Sequence, residues 1–383
     1  MSPVHFNRVI ELQSDELIFS FPQLLGQLRK NVRAWVDERL ESATNEEKNK
    51  LPSSREEVHR LFAACIPKVS ATVSFQRTLR LPEHGIHYPM PLGLGKFPVY
   101  PVDDFSGIPE AWRQRGGVML PMHPTEALWL GFFSDYPMAL RLGSGGKCAV
   151  AGEPWAPALQ PAPQNYVVLG SQPWFDGFHA GPDIVRQFIA KPAGQGLLGV
   201  HALSGEERWG GLQLQAVPLR GDEFWRQVLK EKLTTRWDEL MTPIRHRILQ
   251  AGLGAQPEWT IKTAGKIRLK IMEDPFGLQA WDSTLSSRCF AHFCLASDWQ
   301  RLTGIRPPQD PPTPADYSAA GVPWVETNDG ARRVVSKAAW PEAKSANTQI
   351  LEALRQEESG YAAVTPRTVV RLNPDLRQIV REF

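Results

Sequence analysis

Between residues 22 and 46, apolar side chains recur at intervals of three and four: Leu25, Leu28, Val32, Trp35, Val36 and Leu40 share one face. That spacing predicts an amphipathic helix. A second helix is predicted from SSREEVHRLF, where Ser53 and Glu56 have capping-box spacing. Ahead of both, residues 6–20 read as a small hairpin turning at QSD. From Val69 the period changes to two. Val69, Ala71, Val73 and Phe75 alternate with polar partners, as a half-buried strand requires.

Next comes LPEHGIHYPMPLGLGKFPVYPVDDF, which has no period. A loop of that length inside a domain is usually functional or a lid, so residues 82–109 are expected to contribute to a surface. The runs ALWLGFF, MALRLG, KCAVAG, YVVLG and VRQFIA predict short strands between Gly/Pro turns. In RWGGLQLQAVPL, Leu212, Leu214 and Ala216 face one side, with Gln213 and Gln215 on the other. It is expected to pair with LLGVHAL in a hairpin around Ser204 and Gly205. Residues 222–250 return to helical spacing through Phe224, Trp225, Val228, Leu229, Leu233, Trp237 and Leu240. GKIRLKIMEDPFG and RCFAHFCLA predict two more strands, and SDWQRLTG a helix capped by Ser297. PPQDPPTPADY predicts an extended surface connector.

Long strand stretches flanked by helices argue for α+β. The expected architecture is a β-rich core of mostly antiparallel, sandwich-like sheets, with an N-terminal helical hairpin and Pro-rich loops. The expected organisation is residues 1–68 packing on the core, 69–325 forming it, and 326–383 as a peripheral tail with at most one helix near 346–357.

The string TVSFQRTLRLPEHG, then PLGLGKFPVYPVDD, MHPTEALWLGF, QPWFDGF, RQFIAKPAGQG, GGLQLQAV and EDPFGLQAWD resembles a family of bacterial and fungal hypothetical proteins. The resemblance covers roughly residues 69–325 and supports treating them as one unit. It implies no activity and supplies no catalytic residue.

Composition narrows the function classes. The 383 residues are 22% charged and 42% hydrophobic with a formal net charge of +2, so charge alone gives no case for nucleic acid or a membrane surface. The N-terminus lacks the basic-then-apolar pattern of a secretory leader, and the longest uncharged stretch is rich in Pro, Gln and Asn. The four cysteines form no CxxC, which fits free thiols in a reducing cytoplasm. The chain holds 33 Pro and 13 Trp, and Pro-Trp recurs at 154–155, 173–174 and 323–324. A proline ahead of a large ring fixes the backbone that presents it. Such rings serve either as a binding surface or as pins that hold loops on the fold.

The densest chemistry lies in GSQPWFDGFHAGPDIVRQFIAKPAGQG. Trp174, Asp176, Asp183, Arg186 and Gln187 there, with Trp155 nearby in sequence, are the candidate ligand-binding residues. An aromatic ring beside carboxylate and guanidinium suits a polar ring such as a sugar. The bland alternative is a turn at Asp176-Gly177 and a core wedge at Trp174. If the protein is a hydrolase, Glu126, Asp176 and Arg186 are the candidate catalytic set; Asp274 is a further carboxylate. His84 and His87 form HxxH, a metal-ligand spacing without a third ligand, so solvated histidines are expected and neither metal nor cofactor is called for. RLGSGGKCAV resembles a phosphate nest, but a strand follows its lysine where a P-loop needs a helix, so it is read as a hairpin turn. Arg226, Lys230, Lys232, Arg236, Arg245, Arg247, Lys262, Lys266, Arg268 and Lys270 lie among Trp225, Trp237 and Trp259. A polyanion could use them, although a solvated helix face explains the pattern as well. The leading expectation is a non-catalytic binding or assembly protein. Its occupant would be a small molecule, a protein or a second copy of the chain. A hydrolase and a polyanion binder are the alternatives.

Overall fold

The computed structural model describes residues 9–13, 15–82, 91, 93–156, 158–181, 184–190, 211–242 and 271–322. Strands β1 (Val9–Gln13) and β2 (Glu16–Ser20) form the predicted hairpin, with Asp15 at φ +63° in its turn. Helix α1 (Gln23–Ser42), the single turn α2 (Asn45–Lys48) and helix α3 (Arg55–Ala63) follow. Next are β3 (Ser70–Leu79), β4 (Gly93–Lys96), β5 (Tyr100–Pro101) and the short helix α4 (Glu110–Arg115). Strands β6 (Val118–Met122), β7 (Glu126–Ser134), β8 (Met138–Ser144) and β9 (Lys147–Cys148) come in succession. Then come β10 (Val167–Leu169), β11 (Trp174–Phe175), β12 (Phe178–Gly181), β13 (Ile184–Arg186) and β14 (Leu212–Pro218). Helix α5 starts at Gly221–Phe224, passes a π-helical turn at Trp225–Leu229 and continues as Lys230–Met241. Strand β15 (Ser287–Leu295) and helices α6 (Ala296–Thr303) and α7 (Pro314–Ala319) complete the described elements.

This is an α+β protein with two mostly antiparallel sheets. The first has the order β1-β2-β3-β7-β11, with β4 also pairing β3. The second has the order β10-β8-β14-β15-β6-β5, with β9 on β8 and a parallel step between β15 and β6. The chain crosses between sheets in the short turn from β7 to β8. The inner faces of both meet in one buried cluster, which takes Val73, Phe75, Leu128 and Leu130 from the first sheet and Leu140, Leu142, Leu212 and Leu214 from the second.

Alternation explains the sheet faces. Leu212, Leu214 and Ala216 are fully buried as their spacing predicts, as are Val73 and Phe75. Helix α1 buries Leu28, Val32, Trp35 and Val36. Trp35 meets Phe62 of α3 at 5.5 Å and Trp237 of α5 at 6.0 Å, so α5 joins the N-terminal helices in one aromatic contact.

Several local expectations change. Ser54, not Ser53, caps α3: its Oγ accepts from the Glu57 N–H. The capping box forms instead between Thr44 and Glu47. Ser297 lies inside α6, which starts at Ala296 with no side-chain cap. The aperiodic stretch 82–109 contains β4 and β5, where backbone pairing, not side-chain pattern, makes the strand. KCAVAG is a strand only at Lys147–Cys148, and Ile271–Gly277 is irregular. The Pro-rich connector ends in α7, because Thr313 and Asp316 form a capping box and Tyr317 is buried. The hairpin around Ser204, the strand over 265–270, the helix beyond 242 and residues 326–383 lie outside the described residues.

Candidate functional site

The loop 170–190 is stitched to the edge of β7 at two places. Phe132 N–H donates to the Pro173 carbonyl and Leu128 N–H to the Phe188 carbonyl, both at 2.9 Å. Trp174 is paired with Gly131 and Phe175 with Leu130. Between these anchors the chain makes the β12–β13 hairpin. Gly177 permits it: a Cβ there would sit 2.2 Å from the Arg186 carbonyl oxygen. Gln187 then clamps the end of β3, accepting from the Leu81 N–H at 2.7 Å and donating to the Leu79 carbonyl at 3.1 Å.

Opposed residues of an antiparallel ladder share a face. Phe175 therefore enters the core with Leu130, and it is fully buried. Trp174 lies on the outer face with Gly131, Trp129 and Phe133; Phe133 is 66% exposed. The Trp129 ring reaches across β3 to β4. Its Cζ3 is 3.5 Å from the Cβ position of Gly131 and its Cζ2 is 3.8 Å from that of Gly93. The described end of the 82–109 segment and the Trp loop thus approach one another around Trp129.

Three polar atoms in this junction are buried and have no hydrogen-bond partner: Trp129 Nε1, Trp174 Nε1 and Asp176 Oδ1. Burial raises the Asp176 carboxyl above its ordinary value. Buried polar atoms in native proteins are almost always bonded; these three belong to adjoining strands β7 and β11 and the loop that follows, which makes this stretch the candidate site.

In the candidate catalytic set, Glu126 is bonded to groups other than Asp176 and Arg186. Glu126 has no exposure, and its Oε1 accepts from Arg77 Nε at 2.7 Å while its Oε2 accepts from the His123 N–H at 2.7 Å. Arg77 also donates to the Asp310 carbonyl, and His123 Nε2 lies 2.9 Å from the Gln309 carbonyl, so the Pro-rich connector seals this end of the sheet. Neither Asp176 nor Arg186 is hydrogen-bonded or ion-paired to Glu126 among the described residues. Arg186 is half-buried and makes no ion pair among the described residues. Asp183, His84 and His87 lie outside the described residues. Asp274 is occupied by the Tyr166 hydroxyl at 2.6 Å and Trp281 Nε1 at 2.8 Å.

Trp155 sits on the other sheet. Its ring covers Arg141, whose guanidinium carbon is 4.0 Å from the ring centroid. It rests on Gly143, where a Cβ would meet the ring at 2.5 Å. The glycine-rich stretch is a hairpin turn, with Gly145 and Gly146 at φ +56° and +74° between β8 and β9. Along α5, Arg226 pairs with Glu223 and Arg236 with Glu239, while Trp237 is buried. That is a mixed-charge face over an inward aromatic. Burial pushes the thiols of Cys289 and Cys294 up to about 12, which leaves them unreactive. Among the described residues no group of three or more His, Cys, Asp and Glu could hold a metal, and no helix is long and apolar enough to cross a membrane.

Trp129 and Arg141 escaped sequence reasoning. Trp129 looked like an ordinary strand residue in ALWLGFF, and only the glycines flanking its ring reveal its position. Arg141 sits in MALRLG, where one charge inside an otherwise apolar strand was the available signal. No protein-family model, curated protein or solved structure matches this chain.

Proposed function

We propose that this protein is a non-catalytic binding protein whose ligand occupies the outer face of the first sheet at Trp129, Trp174 and Asp176. The observation that carries this reading is the trio of unbonded buried atoms, two indole N–H donors and one carboxylate oxygen. A molecule bearing several hydroxyl groups complements them, because each hydroxyl both accepts and donates. The indole faces add apolar area for a ring. Exposed Phe133 extends the same face.

A hydrolase built on Glu126 draws no support from a carboxylate whose two oxygens are already bonded to Arg77 and His123. Polyanion binding along α5 is opposed by the acids Glu223 and Glu239 beside the arginines.

The test is a calorimetric titration with a panel of mono- and disaccharides and cyclic polyols, repeated with Trp174→Phe and Asp176→Asn. Phenylalanine keeps the ring and removes the N–H donor. The reading requires saturable binding by at least one compound, weakened roughly tenfold in each variant for the loss of a hydrogen bond to a buried group. Absence of heat with every compound, or equal binding by both variants, overturns it.

A further inference from the structure

The outer face of the second sheet carries a row of three residues on adjacent strands. Arg141 of β8 lies opposite Gln215 of β14, and Gln215 lies opposite Arg288 of β15. Arg141 is 1% exposed. Its Nη1 donates to Gln215 Oε1 at 2.7 Å and its Nη2 to the Ala156 carbonyl, while its Nε is buried without a partner. Neither Arg141 nor half-buried Arg288 makes an ion pair among the described residues. A buried charge is ordinarily neutralised by an opposite one, and a guanidinium does not escape by losing its proton near neutral pH. Among the described residues the row therefore holds two positive charges and an unused donor, and no acid pairs with either arginine.

Beside the row, Gly143, Gly145, Gly146, Lys147, Gln213, Trp155 and Phe290 line a hollow of about 10 Å³, the room of a single water. Trp155 separates this hollow from Arg141, since its ring lies over the guanidinium and against Gly143. Burial lowers the Arg141 pKa to about 10, against an upward pull from Cys148 and with a smaller lowering from Arg288.

We infer that Arg141, Gln215 and Arg288 form a binding site for a phosphate group, with Trp155 as its lid. Two guanidinia match the double charge of phosphate: Arg141 offers its unbonded Nε–H, and its Nη groups become available when they leave Gln215 and the Ala156 carbonyl. The phosphate is either the free ion or part of a small phosphorylated metabolite. This site lies on a different sheet from the Trp174 face and does not depend on the reading given to that face.

The experiment follows thermal unfolding and binding heat of the full chain against inorganic phosphate, glycerol phosphate and, as the control, chloride at matched ionic strength. Wild-type protein is expected to unfold at higher temperature as phosphate rises, because a ligand of the native state stabilises it by mass action. Saturation by inorganic phosphate identifies the free ion as sufficient; saturation by glycerol phosphate alone identifies a phosphorylated metabolite. Arg141→Met is expected to fold at least as well as wild type without phosphate, since an apolar isostere removes an unpaired buried charge. Both Arg141→Met and Arg288→Met should bind at least roughly tenfold more weakly. Gly143→Ala puts a methyl where the Trp155 ring lies, so a folded G143A protein should bind phosphate at least as tightly as wild type. The proposal is overturned if neither phosphate compound acts beyond chloride, or if both methionine variants respond like wild type. Loss of binding in folded G143A removes the lid.

Discussion

Arg77 and Glu126 join neighbouring strands of the first sheet through a 2.7 Å hydrogen bond, and the carboxylate they bury has no exposure at all. The pair belongs to the fold, because the same arginine also holds the connector at Asp310. Removing one partner strands a charge inside the protein. Arg77→Met is therefore expected to lower unfolding free energy by about 3–5 kcal/mol. The double variant Arg77→Met, Glu126→Met leaves no orphan charge and should recover much of that loss. Urea titrations of the single and double variants check both; equal destabilisation in the two would show that the charge pair is not what matters.

His292 predicts an acid-side stability slope. Its ring stacks on Trp112 at 4.7 Å and bonds the Gly116 carbonyl at 3.0 Å, and burial lowers its pKa from 6.5 to about 4. Above pH 6.5 the ring is neutral in both folded and unfolded chains. Between about 6.5 and 4 the unfolded chain binds the proton first, so stability falls as pH falls, by about 3 kcal/mol across that window. His292→Phe keeps a stacking ring and should flatten this part of the profile. An unchanged slope in the variant would assign it to other groups.

Much of the fold was legible in spacing. The buried stripe of α1 and the alternation in β3 and β14 are hydrophobic periods, and these depend on local geometry alone. Pairing is different. That β15 runs parallel beside β6, or that β4 and β5 form in an aperiodic stretch, depends on contacts between distant segments that carry no local period. The candidate site was legible in part. Trp174 and Asp176 stood out because proline and glycine frame them. Glu126 was misleading: a carboxylate before an apolar strand looks available, and only Arg77, 49 residues earlier, reveals its occupation. Arg141 was legible as a charge in an apolar run, but its lack of an ion pair among the described residues is a property of the assembled sheet.

Gly177 should be intolerant of any side chain. A methyl there would lie 2.2 Å from the Arg186 carbonyl, which is backbone and cannot swing away. Gly177→Ala is expected to cost about 1–3 kcal/mol through displacement of the β12–β13 hairpin. Because Gln187 ties that hairpin to Leu79 and Leu81, the damage should spread to the end of β3. Amide exchange at Leu81 should speed up in the variant; wild-type protection there would show that the loop and the sheet are uncoupled.

Asp176 sets stability against binding. Burial raises its carboxyl pKa above 3.8, so the folded chain holds the proton more tightly than the unfolded chain. The stabilisation from protonation is complete below pH 3.8 and is lost as pH rises through the folded value. At neutral pH the protein then carries a half-buried carboxylate with one buried, unbonded oxygen. Asp176→Asn removes that charge with almost no change of shape. It should raise stability at pH 7 by about 1 kcal/mol, and the advantage should vanish in acid. The same exchange replaces an ionised acceptor with a weaker one, so affinity for a hydroxyl-bearing ligand should fall. Thermal unfolding across pH, measured beside the titrations, separates the two effects. A carboxylate kept for binding gives a variant that is more stable and binds less well. A carboxylate that stabilises the loop gives one that is less stable at pH 7, and the Trp174 face would then be scaffold.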